Sequence, residues 1–496
     1  MPNLLRAGTP RSSRRVRATC ALHALAALGL LFGAPALAAS SLPAPVAAAL
    51  KRHGLPAEGV SLYVHEIGRD EPLLSVAPDV SRNPASSLKL LTTLVALEEL
   101  GPAYTWRTEA YTRGQLGGGR LAGDLHLKGY GDPYLVLENF WRLLRALRQQ
   151  GLQSIDGDLV LDQSYFTAED EDPAEFDGRP NRAYNVLPRA LLVNFQAVHL
   201  RFLPGTEGLR VIADPPLPLE NRIRLMSDRC RGWADGWAMR VRGEKGGGAR
   251  LVFDGKYQAE CGERELFRVF DDGPGYVHGV FNALWREQGG TIAGGVREDA
   301  VPADARPFYT WYSPPLADVI RSINKYSNNV MTRQLLLTLG AERHGAPGTT
   351  EKGARVVHAW LERQGLSFPE LVLDNGAGLS REARISARHL AQVLLAAYRS
   401  AYMPEYISAL PVSALDGTLK NRFGGALAGR LHLKTGSLNG VRSLAGYMLN
   451  AAGRRVIVVY LHNHPRANTD AAEAVQRELL EWIYSQGQTT VAASGP

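Results

Sequence analysis

Apolar residues recur at helical spacing in four stretches of the chain. The first stretch holds two adjacent apolar stripes, namely Leu88, Leu91 and Val95, and Leu90, Leu94 and Leu97. Positions three and four residues apart share a helix face, so this pattern predicts a mostly buried helix over residues 86–100. The same kind of spacing predicts further helices at 316–323, 330–339 and 471–484.

Short apolar runs separated by Gly-rich or Pro-rich turns fill the middle of the chain, and such runs predict short strands. They cover residues 121–127, 158–162, 198–202, 209–212, 239–241 and 249–253. Towards the C-terminus, the runs 431–433, 443–449 and 456–461 predict three strands of another sheet. The chain is therefore expected to belong to the α/β (α+β) class.

Three short strings carry the candidate chemistry of the chain. They are Ser86-Ser-Leu-Lys89, Ser327-Asn-Asn329 and Lys434-Thr-Gly436, in that order. Residues three apart share a helix face, so the Lys89 amine comes within reach of the Ser86 hydroxyl. A hydroxyl beside a base is the arrangement that makes serine a nucleophile. Together the strings supply the parts of an active-site-serine acyl transferase.

Each string alone is too short to indicate a function, because such strings also arise by chance. Their order and positions carry the information. Ser327 falls between the predicted helices 316–323 and 330–339, at an interhelical turn. Lys434 ends the alternating run 431–433 and therefore lies on a predicted strand. These positions favour a functional site over a chance match.

With these strings, the chain resembles the low-molecular-mass penicillin-binding proteins with a large insertion, peptidase family S13. The resemblance extends to Asp374-Asn-Gly-Ala-Gly-Leu-Ser-Arg381, Gly417-Thr-Leu-Lys420, Gly131-Asp-Pro133 and Ser437-Leu-Asn-Gly440. It implies a serine β-lactamase/DD-peptidase-like catalytic domain with helices flanking an antiparallel sheet. It also implies D-alanyl-D-alanine carboxypeptidase and D,D-endopeptidase activity. Asn328 departs from the commonest pattern, which has Asp there, so no role of a central carboxylate carries over.

The spacing of the strings indicates how the chain is divided. Ser86 and Ser327 are 241 residues apart (327 − 86 = 241), whereas Ser327 and Lys434 are 107 apart (434 − 327 = 107). A large β-rich insertion is therefore expected after the first string, and the resemblance implies that it forms two small domains. The expected divisions are a signal peptide at 1–38, a discontinuous catalytic domain at 39–105 and 305–488, the insertion at 106–304, and a disordered tail at 489–496.

The resemblance also implies a role for each catalytic residue. Ser86 would attack the carbonyl between two D-alanines of a peptidoglycan stem peptide and form an acyl-enzyme, with Lys89 as its base. Ser327 would relay a proton to the departing amine, and Asn329 would hold Lys89 and the substrate amide. The backbone N–H groups of Ser86 and Ser437 are the expected oxyanion donors.

Substrate recognition is expected around the third string. Lys434 and Thr435 offer a charge and a hydroxyl to the terminal carboxylate of the substrate. The resemblance places Arg381 and Asn439 at the side chain of a diamino acid, with Asp162 from the insertion available for its amine. Penicillins mimic the D-alanyl-D-alanine end, so β-lactam antibiotics are expected to inhibit the protein.

The first 38 residues predict export. They contain five arginines and no acidic residue, followed by an apolar stretch at 21–32 and by Ala36-Leu-Ala38. This is the pattern of a secretory signal peptide cleaved near Ala38, and its apolar part is too short to anchor the protein in a membrane. The expected location is the periplasm. Removing five arginines from the net charge of +7 leaves +2 (7 − 5 = 2), which gives no argument for nucleic-acid binding.

Only Cys230 and Cys261 remain after cleavage of the signal peptide. An oxidising compartment is expected to join them in a disulfide. Two cysteines without a nearby histidine cluster do not make a zinc site, so neither a metal nor a cofactor is expected.

Two other classes of protein share parts of this pattern. A β-lactamase has the same three strings, but it needs a group that activates water for deacylation, and the sequence alone places no Glu for that role. Fast penicillin hydrolysis would favour it. A non-catalytic wall-binding or scaffolding protein is the second alternative, with the insertion as its functional part. Failure to bind penicillin would favour that alternative.

Overall fold

The computed structural model describes residues 41–167, 171–243, 249–269, 273–467 and 469–486. The expected signal peptide and C-terminal tail lie outside these ranges. Within them, no helix is long and apolar enough to cross a membrane.

The described residues form ten helices and eighteen strands. The helices are α1 (Ala44–Arg52), α2 (Lys89–Leu100), α3 (Leu137–Gln149), α4 (Gly273–Glu287), α5 (Leu316–Tyr326), α6 (Asn329–His344), α7 (Thr350–Arg363), α8 (Ala387–Arg399), α9 (Met403–Ser408) and α10 (Asp470–Ser485). The strands are β1 (Val60–Glu66), β2 (Leu74–Val76), β3 (Arg107–Gly117), β4 (Arg120–Gly129), β5 (Ser154–Ile155), β6 (Leu159–Asp162), β7 (Ala197–Gly205), β8 (Gly208–Asp214), β9 (Leu219–Met226), β10 (Trp237–Gly243), β11 (Ala249–Gln258), β12 (Arg264–Val269), β13 (Thr291–Ile292), β14 (Val296–Glu298), β15 (Arg306–Tyr312), β16 (Leu431–Leu438), β17 (Val441–Leu449) and β18 (Arg455–Asn463).

The catalytic part is built on a five-stranded antiparallel sheet. Its strand order is β16-β17-β18-β1-β2, so strands from both ends of the chain form one sheet. In β18, Val456, Val458 and Tyr460 face α1 and α10, whereas the alternate residues 457, 459 and 461 face the helices around α2. Because both faces of the strand are covered, its residues 456–461 are apolar at every position. The expected antiparallel sheet flanked by helices is confirmed.

The predicted helix at 86–100 is confirmed, although its first turn differs from a regular α-helix. Residues Ala85–Leu88 form a single 3₁₀ turn, and α2 begins at Lys89. Ala85 has a left-handed φ of 45°, and its N–H donates to the Asn83 side chain at 2.8 Å. This tight entry fixes the direction in which the chain presents Ser86, since a left-handed alanine persists only where the surroundings hold it.

The insertion begins with a mixed sheet of order β13-β5-β4-β3-β15, and β6 pairs with both β4 and β14. Strand β15 pairs with β3, so this sheet extends to Tyr312, past the expected limit at 304. Two three-stranded sheets follow, ordered β10-β11-β9 and β12-β7-β8. The six short strands predicted from the sequence lie in β4, β6, β7, β8, β10 and β11.

Two helices of the insertion were not predicted from the sequence. Helices α3 and α4 pack among the sheets, and α3 buries Phe140, Leu143 and Leu147 on one side. Their spacing is helical, so the signal was present in the sequence. Apolar side chains of the mixed sheet and of both small sheets form one continuous core. The division of the insertion into two small domains stays a prediction.

Cys230 and Cys261 form the expected disulfide, with their Cα atoms 4.9 Å apart. Cys230 lies in the connection from β9 to β10, and Cys261 lies between β11 and β12. The bridge therefore ties this connection to the end of the central strand of the sheet β10-β11-β9.

Replacing both cysteines with alanine should lower the free energy of unfolding. The bridge joins residues separated by 31 positions, and opening a loop of that size costs about 3–4 kcal/mol in the chain-entropy model. Urea denaturation of the oxidised wild type and of the double variant measures the difference. Peptidase activity of the folded variant should change little, because neither cysteine lies among the three strings. An unchanged denaturation midpoint would contradict the prediction.

Candidate active site

Ser86 and Lys89 meet at the start of α2. Lys89 Nζ lies 3.0 Å from Ser86 Oγ. The same amine donates to Asn329 Oδ1 at 2.6 Å and to the carbonyl oxygen of Ala377 at 2.5 Å. None of these three partners is a carboxylate. The first and second strings therefore meet at the Lys89 amine, and these three contacts give its positive charge no ion-pair partner.

The amines of Lys89 and Lys434 are both completely buried. Burial lowers the pKa of Lys89 well below 10.5, and the positive charge of Lys434 lowers it further. Burial also lowers the pKa of Lys434 to about 7. Desolvation of both amines and the repulsion between their charges therefore favour the neutral form of Lys89. A neutral amine beside the Ser86 hydroxyl is what a general base requires.

The second string forms the turn between α5 and α6. Ser327 ends α5 in a left-handed conformation, and Lys434 Nζ donates to its hydroxyl at 2.8 Å. The side chain of Asn328 accepts a hydrogen bond from the Met331 N–H at 3.0 Å and caps α6. Asn and Asp are about equally good helix N-caps, so an amide at position 328 can fill this structural position.

The third string lies on β16, at the edge of the sheet. A Cβ at Gly436 would lie 2.2 Å from Ser443 Oγ and 2.9 Å from the Ser86 nitrogen. Only glycine lets the strand come this close to the Ser86 turn. Next to it, Thr435 Oγ1 donates to Thr418 Oγ1 at 2.8 Å, which links the strand to the string Gly417–Lys420.

Backbone atoms of the string 374–381 complete the wall behind Ser86. Ala377 supplies the carbonyl oxygen that accepts from Lys89, and Thr92 of α2 donates to the Gly376 carbonyl at 2.7 Å. Gly378 has a φ of +69°, and a Cβ there would lie 1.9 Å from the Ala85 carbonyl oxygen. Sequence reasoning gave these residues no role, because a backbone carbonyl has no signature in residue type.

Arg381 and Asn439 are in contact, and Asp162 has other partners. Arg381 donates to the Asn439 carbonyl at 3.2 Å, and its guanidinium lies 4.7 Å from the centre of the Phe176 ring. Asp162 is buried at the end of β6, where its carboxylate accepts from the Ser164 and Val301 N–H groups and pairs with Lys128. The Asp162 carboxylate is therefore engaged within the insertion.

Two cavities are lined by residues of the strings 374–381 and 327–329, respectively. One of about 370 Å³ is lined by Arg381 and Phe176 together with Glu171, Asp172 and Glu175 of the insertion. Three carboxylates thus line the cavity that contains Arg381, and one of them, Glu171, pairs with Arg333 at 2.7 Å.

The other cavity, of about 500 Å³, is lined by Ser327 and Asn329 and by Tyr184, Phe195 and Phe267 of the insertion. Residues of the insertion thus form one wall of each cavity. Among the described residues, no group of three or more His, Cys, Asp or Glu side chains is arranged to hold a metal ion.

Comparison with known proteins gives a consistent result. The model of the D-Ala-D-Ala carboxypeptidase 3 (S13) family matches residues 42–485. The D-alanyl-D-alanine carboxypeptidase of Actinomadura sp. (strain R39) is 27% identical over 485 residues, which cover 92% of this chain and 89% of that protein.

Solved structures show the same fold. Penicillin binding protein 4 (dacB) from Haemophilus influenzae is similar with a TM-score of 0.73 and 23% identity, over 88% of this chain and 99% of that chain. The same protein complexed with a novel beta-lactam gives a TM-score of 0.70. Bd3459, a predatory peptidoglycan endopeptidase from Bdellovibrio bacteriovorus, gives 0.51 at 15% identity, over 86% of this chain and 92% of that chain.

The family model spans almost all of the described chain, and the fold agrees with that of a penicillin-binding protein of type 4. The resemblance inferred from the short strings is confirmed. The chain belongs to the D-Ala-D-Ala carboxypeptidase 3 (S13) family of peptidases and is a hydrolase of the carboxypeptidase class.

Proposed function

We propose that this carboxypeptidase releases the terminal D-alanine from peptidoglycan stem peptides through an acyl-enzyme on Ser86. The observation that carries the proposal is the buried Lys89 amine 3.0 Å from Ser86 Oγ. A neutral Lys89 takes the hydroxyl proton as Ser86 attacks the carbonyl between the two D-alanines. Water then hydrolyses the ester and frees the enzyme.

Ser327 is positioned to return a proton to the departing amine. Its hydroxyl accepts a hydrogen bond from the Lys434 amine at 2.8 Å, and Ser327 lines the cavity of about 500 Å³. The backbone N–H groups of Ser86 and Ser437 are the proposed oxyanion donors, and such a donor contributes about 3 kcal/mol in other acyl-transfer enzymes. The close approach of Gly436 to the Ser86 nitrogen supports this pairing. Lys434 and the Thr435 hydroxyl would bind the terminal carboxylate of the substrate.

The same site is proposed to cleave cross-links as a D,D-endopeptidase. A cross-linked substrate is bulkier than a stem peptide, and room for it is available in the cavity at the second string and in the cavity beside Arg381. Arg381 would bind the free carboxylate of a diamino acid, with Asn439 beside it. The amine of the same diamino acid would contact the acidic side chains within residues 171–175. The fold that the chain shares with an endopeptidase from Bdellovibrio bacteriovorus is consistent with this activity.

Penicillins are proposed to acylate Ser86, because they present a strained mimic of the D-alanyl-D-alanine end. A β-lactam complex exists for the similar Haemophilus influenzae protein. The described hydrogen-bond partners of Lys89 are Ser86, Asn329 and Ala377, and none of them is a carboxylate that could serve as a deacylating base. Slow turnover of penicillin is therefore expected.

The N-terminal pattern supports a periplasmic location.

Ser86→Ala should abolish both covalent penicillin labelling and D-alanine release. The reason is that Ser86 supplies the one hydroxyl among the described hydrogen-bond partners of the Lys89 amine. Fluorescent penicillin on a denaturing gel measures the labelling, and circular dichroism shows whether the variant is folded. Ser87→Ala is the matched control and should keep the label. Labelling of the Ser86 variant at the wild-type level would contradict the acyl-enzyme proposal.

The acylation rate should rise with pH, because Lys89 must lose its proton to act as a base. Lys434→Met removes a nearby positive charge, so the pKa of Lys89 should rise and the rising limb should move to higher pH. Stopped-flow acylation by a chromogenic cephalosporin over a range of pH locates the limb. Lys51→Met, on the surface helix α1, should leave it in place. A limb at the same pH in both variants would rule out the coupling.

Arg381→Ala should lower kcat/KM for substrates that contain diaminopimelate. The loss should correspond to about 1.5–3 kcal/mol of transition-state stabilisation, the contribution of a hydrogen bond to a charged group. Cleavage of small D-alanyl-D-alanine peptides and penicillin acylation should stay unchanged. Arg355→Ala, on the exposed side of α7, is the control. Equal losses on all substrates would mean that Arg381 supports the fold instead.

A further inference from the structure

One face of the sheet β10-β11-β9 is covered with cationic side chains. These are Arg222 and Arg224 on β9, Arg240 and Arg242 on β10, and Arg250 and Lys256 on β11. They alternate along each strand with apolar residues such as Ile223 and Leu251, which face the core of the insertion. We name the six cations with Glu220 and Asp254 the cationic sheet face.

The charges on this face are not balanced. Glu220 pairs with Arg222 at 2.7 Å, and Asp254 pairs with Arg240 at 2.5 Å. Six cations and two carboxylates give an excess of four positive charges (6 − 2 = 4). The chain without its first 38 residues carries a net charge of +2, so the rest of it sums to −2 (2 − 4 = −2). The positive charge of the exported chain is therefore concentrated here.

The strand register places like charges opposite each other. Arg224 is the partner of Lys256 across the parallel pair of β9 and β11. Like charges directly opposite destabilise a sheet. The hydrogen bond from Arg222 and the charges of Arg242 and Arg250 also lower the pKa of Glu220, so these groups act on one another. An anionic partner would relieve this repulsion.

The face is suited to a polymer with many carboxylates rather than to a lipid surface. Arginine binds carboxylates through two parallel hydrogen bonds. The large hydrophobic residues that are exposed among the described residues lie outside this sheet, so the face has no apolar anchor for a membrane. All three strands of the sheet present the cations in rows. Such rows allow several weak contacts with one polymer at once.

We propose that the cationic sheet face binds the peptidoglycan polymer itself, through the free carboxylates of its stem peptides, and so holds the enzyme on its substrate. This inference rests on the proposed action on peptidoglycan, but it concerns a surface that is separate from the three strings. The Cys230–Cys261 bridge fixes the connection between β9 and β10, and thereby stabilises the sheet that carries the face.

The test uses binding to purified sacculi, measured by pelleting in the Ser86→Ala background so that the polymer is not digested. The variant Arg224→Gln, Arg242→Gln, Lys256→Gln removes three exposed charges from the face. The control Lys51→Gln, Arg321→Gln, Arg355→Gln removes three exposed charges from helices of the catalytic part.

We expect the first variant to bind sacculi at least about tenfold more weakly, as expected for charges that act additively on an anionic surface. The control should bind like the parent protein. Binding of the parent should fall with added salt and with sacculi whose carboxylates have been amidated. In the active background, both triple variants should hydrolyse a soluble D-alanyl-D-alanine peptide at the wild-type rate.

Three results would overturn the inference: equal binding by both triple variants, undiminished binding to amidated sacculi, or a loss of binding to anionic phospholipid vesicles but not to sacculi. Failure of the proposed function is distinguishable, because it would appear as absent penicillin labelling of Ser86 while sacculus binding still depends on the face.

Discussion

The proposed chemistry of this protein depends on two buried lysine amines, and neither has a carboxylate among its described hydrogen-bond partners. A buried ammonium is costly, so the surroundings favour loss of a proton. Lys89 is held by a hydroxyl, an amide oxygen and a backbone carbonyl, and Lys434 by the Ser327 hydroxyl and the Thr435 carbonyl. These partners fix the position of each amine but do not stabilise its charge as an ion pair would. Burial therefore lowers the pKa of both amines below the ordinary value of a lysine, and the charge of Lys434 lowers the pKa of Lys89 further.

Holding the amines in this state requires close approach between elements that are distant in sequence. The Ser86 turn, the α5–α6 turn and β16 meet only because Gly436 and Gly378 leave room for backbone atoms. The sheet beneath them joins β1 to β18, so the two ends of the chain close the catalytic part around the site. The insertion follows α2 and ends before α5, so it contributes no strand to this sheet. Its residues line both cavities.

Periodicity and the three strings predicted α2, α5, α6 and α10 and the strands β16 to β18, whereas β1, β2, α1, α7, α8 and α9 of the catalytic part were not predicted. The apolar stripes of α2, the turn at Ser327 and the strand at Lys434 are local features, and each was found where its pattern indicated. Features that depend on tertiary distance were not predictable. The carbonyl of Ala377 and the spacing at Gly436 are such features, and so is the engagement of Asp162 by Ser164, Val301 and Lys128. Helix α3 was missed for another reason, since its helical spacing was present but the surrounding strands dominated the interpretation of the insertion.

The most direct test of the account is the titration of Lys89 itself. The protein can be labelled with 13C at the ε-carbons of lysine, and Lys89→Met and Lys434→Met variants assign the two buried resonances. The account predicts that both resonances titrate well below the pH of exposed lysines, which titrate near pH 10.4, and that loss of either amine raises the pKa of the other. A Lys89 resonance that titrates with the exposed lysines would contradict the central claim, because a fully charged amine cannot activate Ser86.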